Sequence, residues 1–287
     1  MVADAVNVLA DLFRRIFDAR FTPASHSAMP SVFAIAAHPD DIEIVMAGTL
    51  ALLKDVGYDV HYMNVANGCC GSTVYGREEL IAMRRAEAEE ACRIAGFTFH
   101  DSIADDMEVM YDRPTLRRLT AIVREVRPEI VLTHSPVDYM EDHTNTCRLA
   151  TTAAFSRCMP NFPCEPATPA YFEDVTVYHA QPHGNCDPLY GPIMPTIFVD
   201  VATKMDLKTE MLAAHKSQKL WLDQSQGMDS YLHSMQELMR EVGRLSGGRC
   251  EYAEGWRKHL HLGFCAADAD PLVQAIGAQV HGNAQAR

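Results

Sequence analysis

Long apolar runs are missing from this chain of 287 residues, 48% of them hydrophobic; none reaches the roughly 18 residues that would suggest a membrane span. Positive charge is scarce. The 25 Lys and Arg against 38 Asp and Glu leave a formal net charge of −13, which opposes nonspecific binding to nucleic acid or to an anionic membrane. A cationic start followed by a short apolar core and a small-residue cleavage site is absent too. The nine cysteines are odd in number, and Cys69 and Cys70 are adjacent, not two residues apart as in a zinc ribbon. A reducing cytoplasm is therefore the expected setting, not a secreted disulfide framework. The chain has only two tryptophans, Trp221 and Trp256, too isolated to define a carbohydrate platform. No internal repeat or low-complexity tract is present. The Gly-x-Gly-x-x-Gly that a dinucleotide site wants after its first strand is also lacking.

What stands there instead is the most informative segment of the chain. Val32 to Ala37 is a continuous apolar run, the pattern of a buried parallel strand, and it ends in His38-Pro39-Asp40-Asp41. Folding requires no such cluster, and in open α/β sheets ligands bind beyond the carboxyl ends of the strands. Imidazole nitrogen and carboxylate oxygen are zinc ligands, and catalytic zinc sites hold three protein ligands and an open position. His38 and Asp41 supply two of them, Pro39 stiffens the turn, and Asp40 is left free to act as a base. The structural alternative is that Asp40 or Asp41 N-caps a helix starting near Ile42. About a hundred residues on, Ile130-Val131-Leu132-Thr133-His134 reads as a second strand running into polar residues, followed by Asp138-Tyr139-Met140-Glu141-Asp142-His143. His143 is the expected third ligand, with Asp142 available to hydrogen-bond an imidazole behind the metal; His134 is the rival ligand.

The remaining pattern alternates strand and helix. Strands are expected at 32–37, 60–66 and from Ile130, helices at 42–54 and 77–95, and shorter elements at 97–101 and 116–125. This order implies right-handed βαβ units. The fold expected is α/β, a Rossmann-like, mainly parallel sheet flanked by helices, with a helical C-terminal elaboration. Residues 1–30 read as an N-terminal helical extension with an amphipathic helix at 6–19, residues 31–222 as the catalytic domain, and 223–287 as a helical extension of it, with a disordered tail after Gly277. The proline-rich stretch 159–169 is expected to be a loop near the pocket. Gln181-Pro182-His183-Gly184 opens a polar, turn-rich segment after a strand at 175–179, and His183 is its candidate functional residue.

Ala37-His38-Pro39-Asp40-Asp41, Asp142-His143 and Ala214-His215-Lys216-Ser217-Gln218, in that order, resemble the LmbE/PIG-L family of metal-dependent N-acetylglucosaminyl deacetylases. Asn67-Gly68-Cys69-Cys70-Gly71, Arg84-Arg85-Ala86-Glu87-Ala88 and Ile94-Ala95-Gly96 are similar to its intermediate segments, so the likeness spans about residues 30 to 220. It implies Zn²⁺ held by His38, Asp41 and His143, with Fe²⁺ or Co²⁺ as other occupants, and Asp40 as general base for removal of an N-acyl group from a small amino-sugar substrate. It also implies that Arg84 reaches the substrate or supports Asp40, and that Asp106 hydrogen-bonds sugar hydroxyls. A solvated helix-face charge is the alternative for Arg84, and a helix-terminal structural role the alternative for His215. Homo-oligomerisation is suggested only by the resemblance and the apolar first helix.

One departure stands out. Where the family commonly reads His-Pro-Asp-His, this chain has Met140-Glu141-Asp142-His143. Methionine has no useful proton, so Tyr139, His134 or His183 takes over the missing histidine's part as acid or oxyanion stabiliser, or Asp40 serves as both base and acid. Two readings from other classes use the same residues: a non-haem Fe(II) enzyme, for which two histidines and a carboxylate are also the ligand set, and a noncatalytic zinc- or sugar-binding protein.

Overall fold

A computed structural model describes residues 29–226 and 231–282. The expected helix at 6–19 lies outside the described residues. Strand β1 (Ser31–Ala36) is buried at all six positions and pairs in parallel with β2 (Asp59–Asn64) on one side and β4 (Ile130–Thr133) on the other. Between β1 and β2 run two short helices, α1 (Asp41–Val45) and α2 (Ala47–Asp55), where one continuous helix is expected; the break is at Met46, whose φ of −135° leaves the helical region. Helix α3 (Arg77–Ala95) leads to β3 (Thr98–His100), and α4 (Arg113–Val126) leads to β4. Helix α5 (Glu141–Ser156) follows β4 and precedes β5 (Thr176–Ala180).

The last third contains helices α6 (Met205–Ala213), α7 (Lys216–Gln226), α8 (Tyr231–Leu245) and α9 (Pro271–Ile276). It also supplies strands β6 (Ile197–Asp200), β7 (Ala253–Lys258) and β8 (Val280–Gly282), so the stretch after residue 222 is more than helical. The sheet order is β3-β2-β1-β4-β5-β7-β6-β8. The first five strands are parallel, and β7 enters antiparallel between β5 and β6. The tail expected to be disordered after Gly277 is ordered as far as Gly282, because β8 pairs with β6.

Alternation along β1 divides the core. Val32, Ala34 and Ala36 pack with Ile42, Leu50, Ala88, Met211 and Met235 on one face; Phe33 and Ile35 pack with Leu116, Leu119, Leu149 and Ala153 on the other. Since β2 and β4 leave β1 in opposite directions, the carboxyl end of β1 is the topological switch point where open α/β sheets bind ligands. The proline-rich loop does not approach that point. It packs on α4, where Arg124 donates to the carbonyls of Met159 and Thr168. Among the described residues no helix is long and apolar enough to cross a membrane.

One buried charge pair ties the last third to the first. Glu254 of β7 accepts the backbone N–H groups of Gly48 (2.9 Å) and Thr49 (2.7 Å) at the start of α2, and Lys208 of α6 pairs with it, both side chains fully buried. The carboxylate meets the positive end of the α2 dipole, and the ammonium balances it. Lys208→Met should leave Glu254 buried without its counter-charge and lower stability by about 3–5 kcal/mol in urea unfolding. Lys208→Met combined with Glu254→Gln should recover a substantial part of that loss; equal destabilisation by single and double variants would show that the charge balance is not what matters.

Candidate metal centre and active site

The turn after β1 carries the site. Asp40 occupies the N-cap position of α1 but makes no capping bond with its side chain, so the capping alternative fails. Its φ of 114° places a non-glycine residue in the sparsely populated left-handed half of the map. That backbone setting lets neighbouring carboxylates part company. Asp41 turns toward three imidazoles: its oxygens lie 3.5 Å from His38 Nδ1, 3.4 Å from His143 Nε2 and 3.3 Å from His134 Nε2. Asp40 turns the other way, to accept a hydrogen bond from the Tyr231 hydroxyl and lie 3.8 Å from Arg84 Nη2.

The three expected ligands come together. His38, Asp41 and His143 each offer one donor atom, and these lie within 4.8 Å of one another. Behind them stand two carboxylates: Asp142 on His38 Nε2 at 3.0 Å and Asp138 on His143 Nδ1 at 3.0 Å. Such carboxylates fix ring orientation and raise ligand basicity. His134 is different. Its Nε2 accepts the backbone N–H of Ala37 at 2.9 Å, which occupies the lone pair a metal would need, so this histidine holds the end of β1 and stacks flat on His143 at 4.1 Å.

Charge in the centre is poised for a cation. Burial opposes the charged form of His143, yet Asp41 and Asp138 raise it to about 10; burial opposes it in His38 as well, yet Asp142 and Asp41 raise it to about 9. Burial would raise Asp41, but His143 and His134 hold it well below the usual carboxylate range. The two nitrogens and one oxygen, within 4.8 Å of one another and with room for a fourth ligand, suit a divalent cation. Asp40 behaves oppositely: burial pushes it up to about 6, partly offset by Arg84 and reinforced by Asp41.

Arg84 is not a solvated charge. It is 2% exposed, donates to the Pro39 carbonyl and to Gln218, and borders Asp40. Asp106 binds the Gly68 and Cys70 N–H groups at 2.7 and 3.0 Å, which pins the 67–71 loop and leaves its remaining lone pairs to the cavity. His215 stands between the end of α6 and the start of α7, as the helix-terminal alternative has it, and its side chain is buried 3.2 Å from Glu43. His38, Asp40, Asp41, Arg84, Asp106 and His143 open on one cavity of about 380 Å³, with Tyr139, Met140 and His183 on its wall. Tyr139 and His183 face each other at the rim, with ring centroids 6.4 Å apart. Trp221 lines the cavity as well, contrary to the sequence reading, while Trp256 is core and donates to Thr49. Two residues were not foreseen. Asp138 lies five positions before His143 with no periodic signal, and Tyr231, 191 positions after Asp40, reads as an ordinary apolar helix residue.

A doubly wound sheet with a two-histidine, one-carboxylate centre and a separate buried carboxylate at its switch point defines a metal-dependent enzyme class. Residues 33–154 match the family model described as PIG-L, GlcNAc-PI de-N-acetylase. A diacetylchitobiose deacetylase from Thermococcus kodakarensis is 30% identical over 241 residues, covering 79% of this chain and 82% of the relative. The chain belongs to the PIG-L family. A 4-oxalmesaconate hydratase from Pseudomonas putida is 28% identical over 235 residues, 78% of this chain and 87% of the relative. Among solved structures, the N,N′-diacetylchitobiose deacetylase from Pyrococcus horikoshii shares the fold with a TM-score of 0.69 and 24% identity, covering 92% of this chain and 97% of that one.

The Tyr231 bond favours ionised Asp40, so Tyr231→Phe should move the Asp40 pKa upward. Activity that needs ionised Asp40 is present above that pKa and lost below it. The acid limb of the kcat/KM profile should therefore shift to higher pH in Tyr231→Phe relative to wild type carrying the same metal. An unmoved limb with a uniformly lower rate would assign Tyr231 to packing alone.

Proposed function

We propose that this chain is a metal-dependent hydrolase that removes an N-acyl group, in particular acetyl, from an amino sugar such as N-acetylglucosamine or a conjugate of it. The observation that carries this reading is the division of labour between adjacent carboxylates, Asp41 in the ligand set and Asp40 beside it with a pKa raised to about 6. The cation we assign to His38, Asp41 and His143 is Zn²⁺, with Fe²⁺ or Co²⁺ able to use the same ligands; when bound, it polarises the amide carbonyl and acidifies water. Asp40 accepts the proton of the attacking water, its raised pKa matching it to that task near neutral pH. Asp40 then returns the proton to the leaving amine. Tyr139, a phenol that keeps its proton at neutral pH, is placed at the rim to donate to the carbonyl oxygen as charge develops there, with His183 opposite. Asp106 and Arg84 are assigned to the sugar side, Asp106 through hydroxyls and Arg84 by holding Asp40 and the Pro39 carbonyl. Trp221 offers the sugar an apolar face. All nine cysteines are free thiols, which supports a reducing, cytoplasmic setting.

The hydratase relative raises a second chemistry, addition of water to a carboxylated alkene. Cavity charge argues against it here. The wall carries Asp40, Asp41, Asp106 and Asp138 but a single arginine, Arg84, whose guanidinium is already engaged. A neutral acetamido sugar needs no cationic partner in that field, whereas a dicarboxylate would have only the metal centre to meet its two negative charges.

Acetate release from N-acetylglucosamine and N,N′-diacetylchitobiose by protein of measured metal content tests the reading. Asp40→Asn should keep the metal and lose about 10²–10⁴-fold in kcat, and His143→Ala should lose the metal. Equal turnover by Asp40→Asn would remove Asp40 from the mechanism. Consumption of a conjugated dicarboxylic acid without any acetate release from the sugars would replace deacetylation by hydration.

A further inference from the structure

The same cavity is bordered by a second set of ligand atoms, of which the deacetylase reading uses the Asp106 carboxylate but neither sulfur. We infer that Cys69, Cys70 and Asp106 form a second cation site, for thiophilic divalent ions such as Zn²⁺ or Cd²⁺, at the mouth of the active-site cavity. The three residues each offer a donor atom within 4.8 Å of the others. The two sulfurs are 3.7 Å apart. A disulfide needs about 2.05 Å, whereas two thiolates on one tetrahedral zinc, with Zn–S bonds of about 2.3 Å, stand about 3.8 Å apart. The vicinal pair is therefore two thiols in contact and not a disulfide, at a separation one tetrahedral ion can span.

Backbone pinning explains why that separation persists. Asp106 accepts the Gly68 and Cys70 N–H groups, and Asn67 Oδ1 accepts that of Cys69 at 3.2 Å. Each carboxylate oxygen of Asp106 keeps a lone pair beyond its backbone bond. Cys70 and Asp106 both line the cavity, so a fourth position on the ion would face the space where substrate enters. Binding of one ion displaces the two thiol protons to solvent and forms two metal–sulfur bonds, with no change of oxidation state.

The loop is also coupled to the base. Gly68, at φ +79°, is packed so closely on the Arg84 side chain that a Cβ would collide with it, and a Cβ on Gly71 would come within 3.3 Å of Arg84 Nη1. Arg84 in turn holds the Pro39 carbonyl and borders Asp40. An ion on the dithiol thus obstructs the entrance beside the loop that packs on Arg84, so turnover falls. That effect on turnover rests on the deacetylase reading; the binding does not.

The full-length chain, first loaded with one equivalent of Zn²⁺, should take up a second equivalent on titration with Cd²⁺, with growth of the ultraviolet thiolate-to-cadmium charge-transfer band. In the same wild-type protein Cd²⁺ should protect Cys69 and Cys70 from alkylation, mapped by peptide mass, and leave Cys158 and Cys186 unprotected. Cys69→Ser combined with Cys70→Ser should retain the first equivalent and lose both the second and the band. Absence of the band with undiminished alkylation of the pair, or an undiminished second equivalent in the double variant, would overturn the site. Inhibition of acetate release by excess cation in wild type but not in the double variant supports the coupling. Cation binding with no acetate release from any sugar would sink the deacetylase reading and leave the site standing.

Discussion

Two carboxylates that follow each other in one turn must be kept in different electrostatic surroundings, and the site depends on that separation. Asp41 is surrounded by imidazoles and held ionised, whereas burial pushes Asp40 up to about 6, against the lowering pull of Arg84 and the Tyr231 hydroxyl. The backbone enforces this through the positive φ of Asp40, a strain of the order of 1–3 kcal/mol that survives only where the surroundings over-determine it. Here they do: Asp41 N–H bonds the His38 carbonyl, Ile44 N–H bonds the Asp40 carbonyl, and Arg84 holds Pro39. Were both side chains to point one way, like charges would sit together and neither could be ligand and base at once.

Much of the neighbouring structure serves that turn. Hydrogen bonds from second positions on the sheet take over where the β1 ladder ends: Asn64 donates to the His38 carbonyl at 2.6 Å and Ala37 donates to His134. Below the turn, Glu43, His215 and the Tyr62 hydroxyl form a buried polar layer, in which burial opposes the His215 charge but Glu43 and Asp40 raise its pKa. The last third of the chain adds the other wall. Helix α8 brings Tyr231 to Asp40, and β7 inserts Glu254 beneath the start of α2, so the C-terminal elements lock the helix layer that carries α1.

Sequence patterning revealed what rests on local rules. The apolar run of β1, the cap-to-cap length of α3 and the His-Pro-Asp-Asp turn are written in adjacent residues; residue chemistry at strand ends points to His38 and Asp41 as candidate ligands, while the choice of His143 over His134 leans on the family resemblance. The missed features are non-local. Ala253-Glu254-Gly255-Trp256-Arg257-Lys258 does not read as an apolar strand, because Glu254 is buried by a helix terminus and a lysine far away in sequence, and Gly255 is required where Gln181 and Pro195 press close. Met46 breaks a helix that periodicity would continue. Asp142 was assignable to some imidazole, but only the fold shows that it serves His38 while Asp138 serves His143.

Met140 is where this chain's chemistry parts from the motif it otherwise follows. A methionine on the cavity wall supplies neither a proton nor a strong hydrogen bond, so two tasks, oxyanion stabilisation and protonation of the amine, fall to other groups. Geometry divides them. His134 is committed to the Ala37 N–H and has no free Nε2, which leaves Tyr139 and His183 on the rim and Asp40 at the floor. Tyr139 lies edge-on to His143, with ring centroids 5.6 Å apart. Asp40, with its raised pKa, can give back the proton it takes, since a group that titrates at about 6 is a competent acid as well as a base near neutrality. The missing histidine thus costs the site one dedicated donor but not the proton cycle itself.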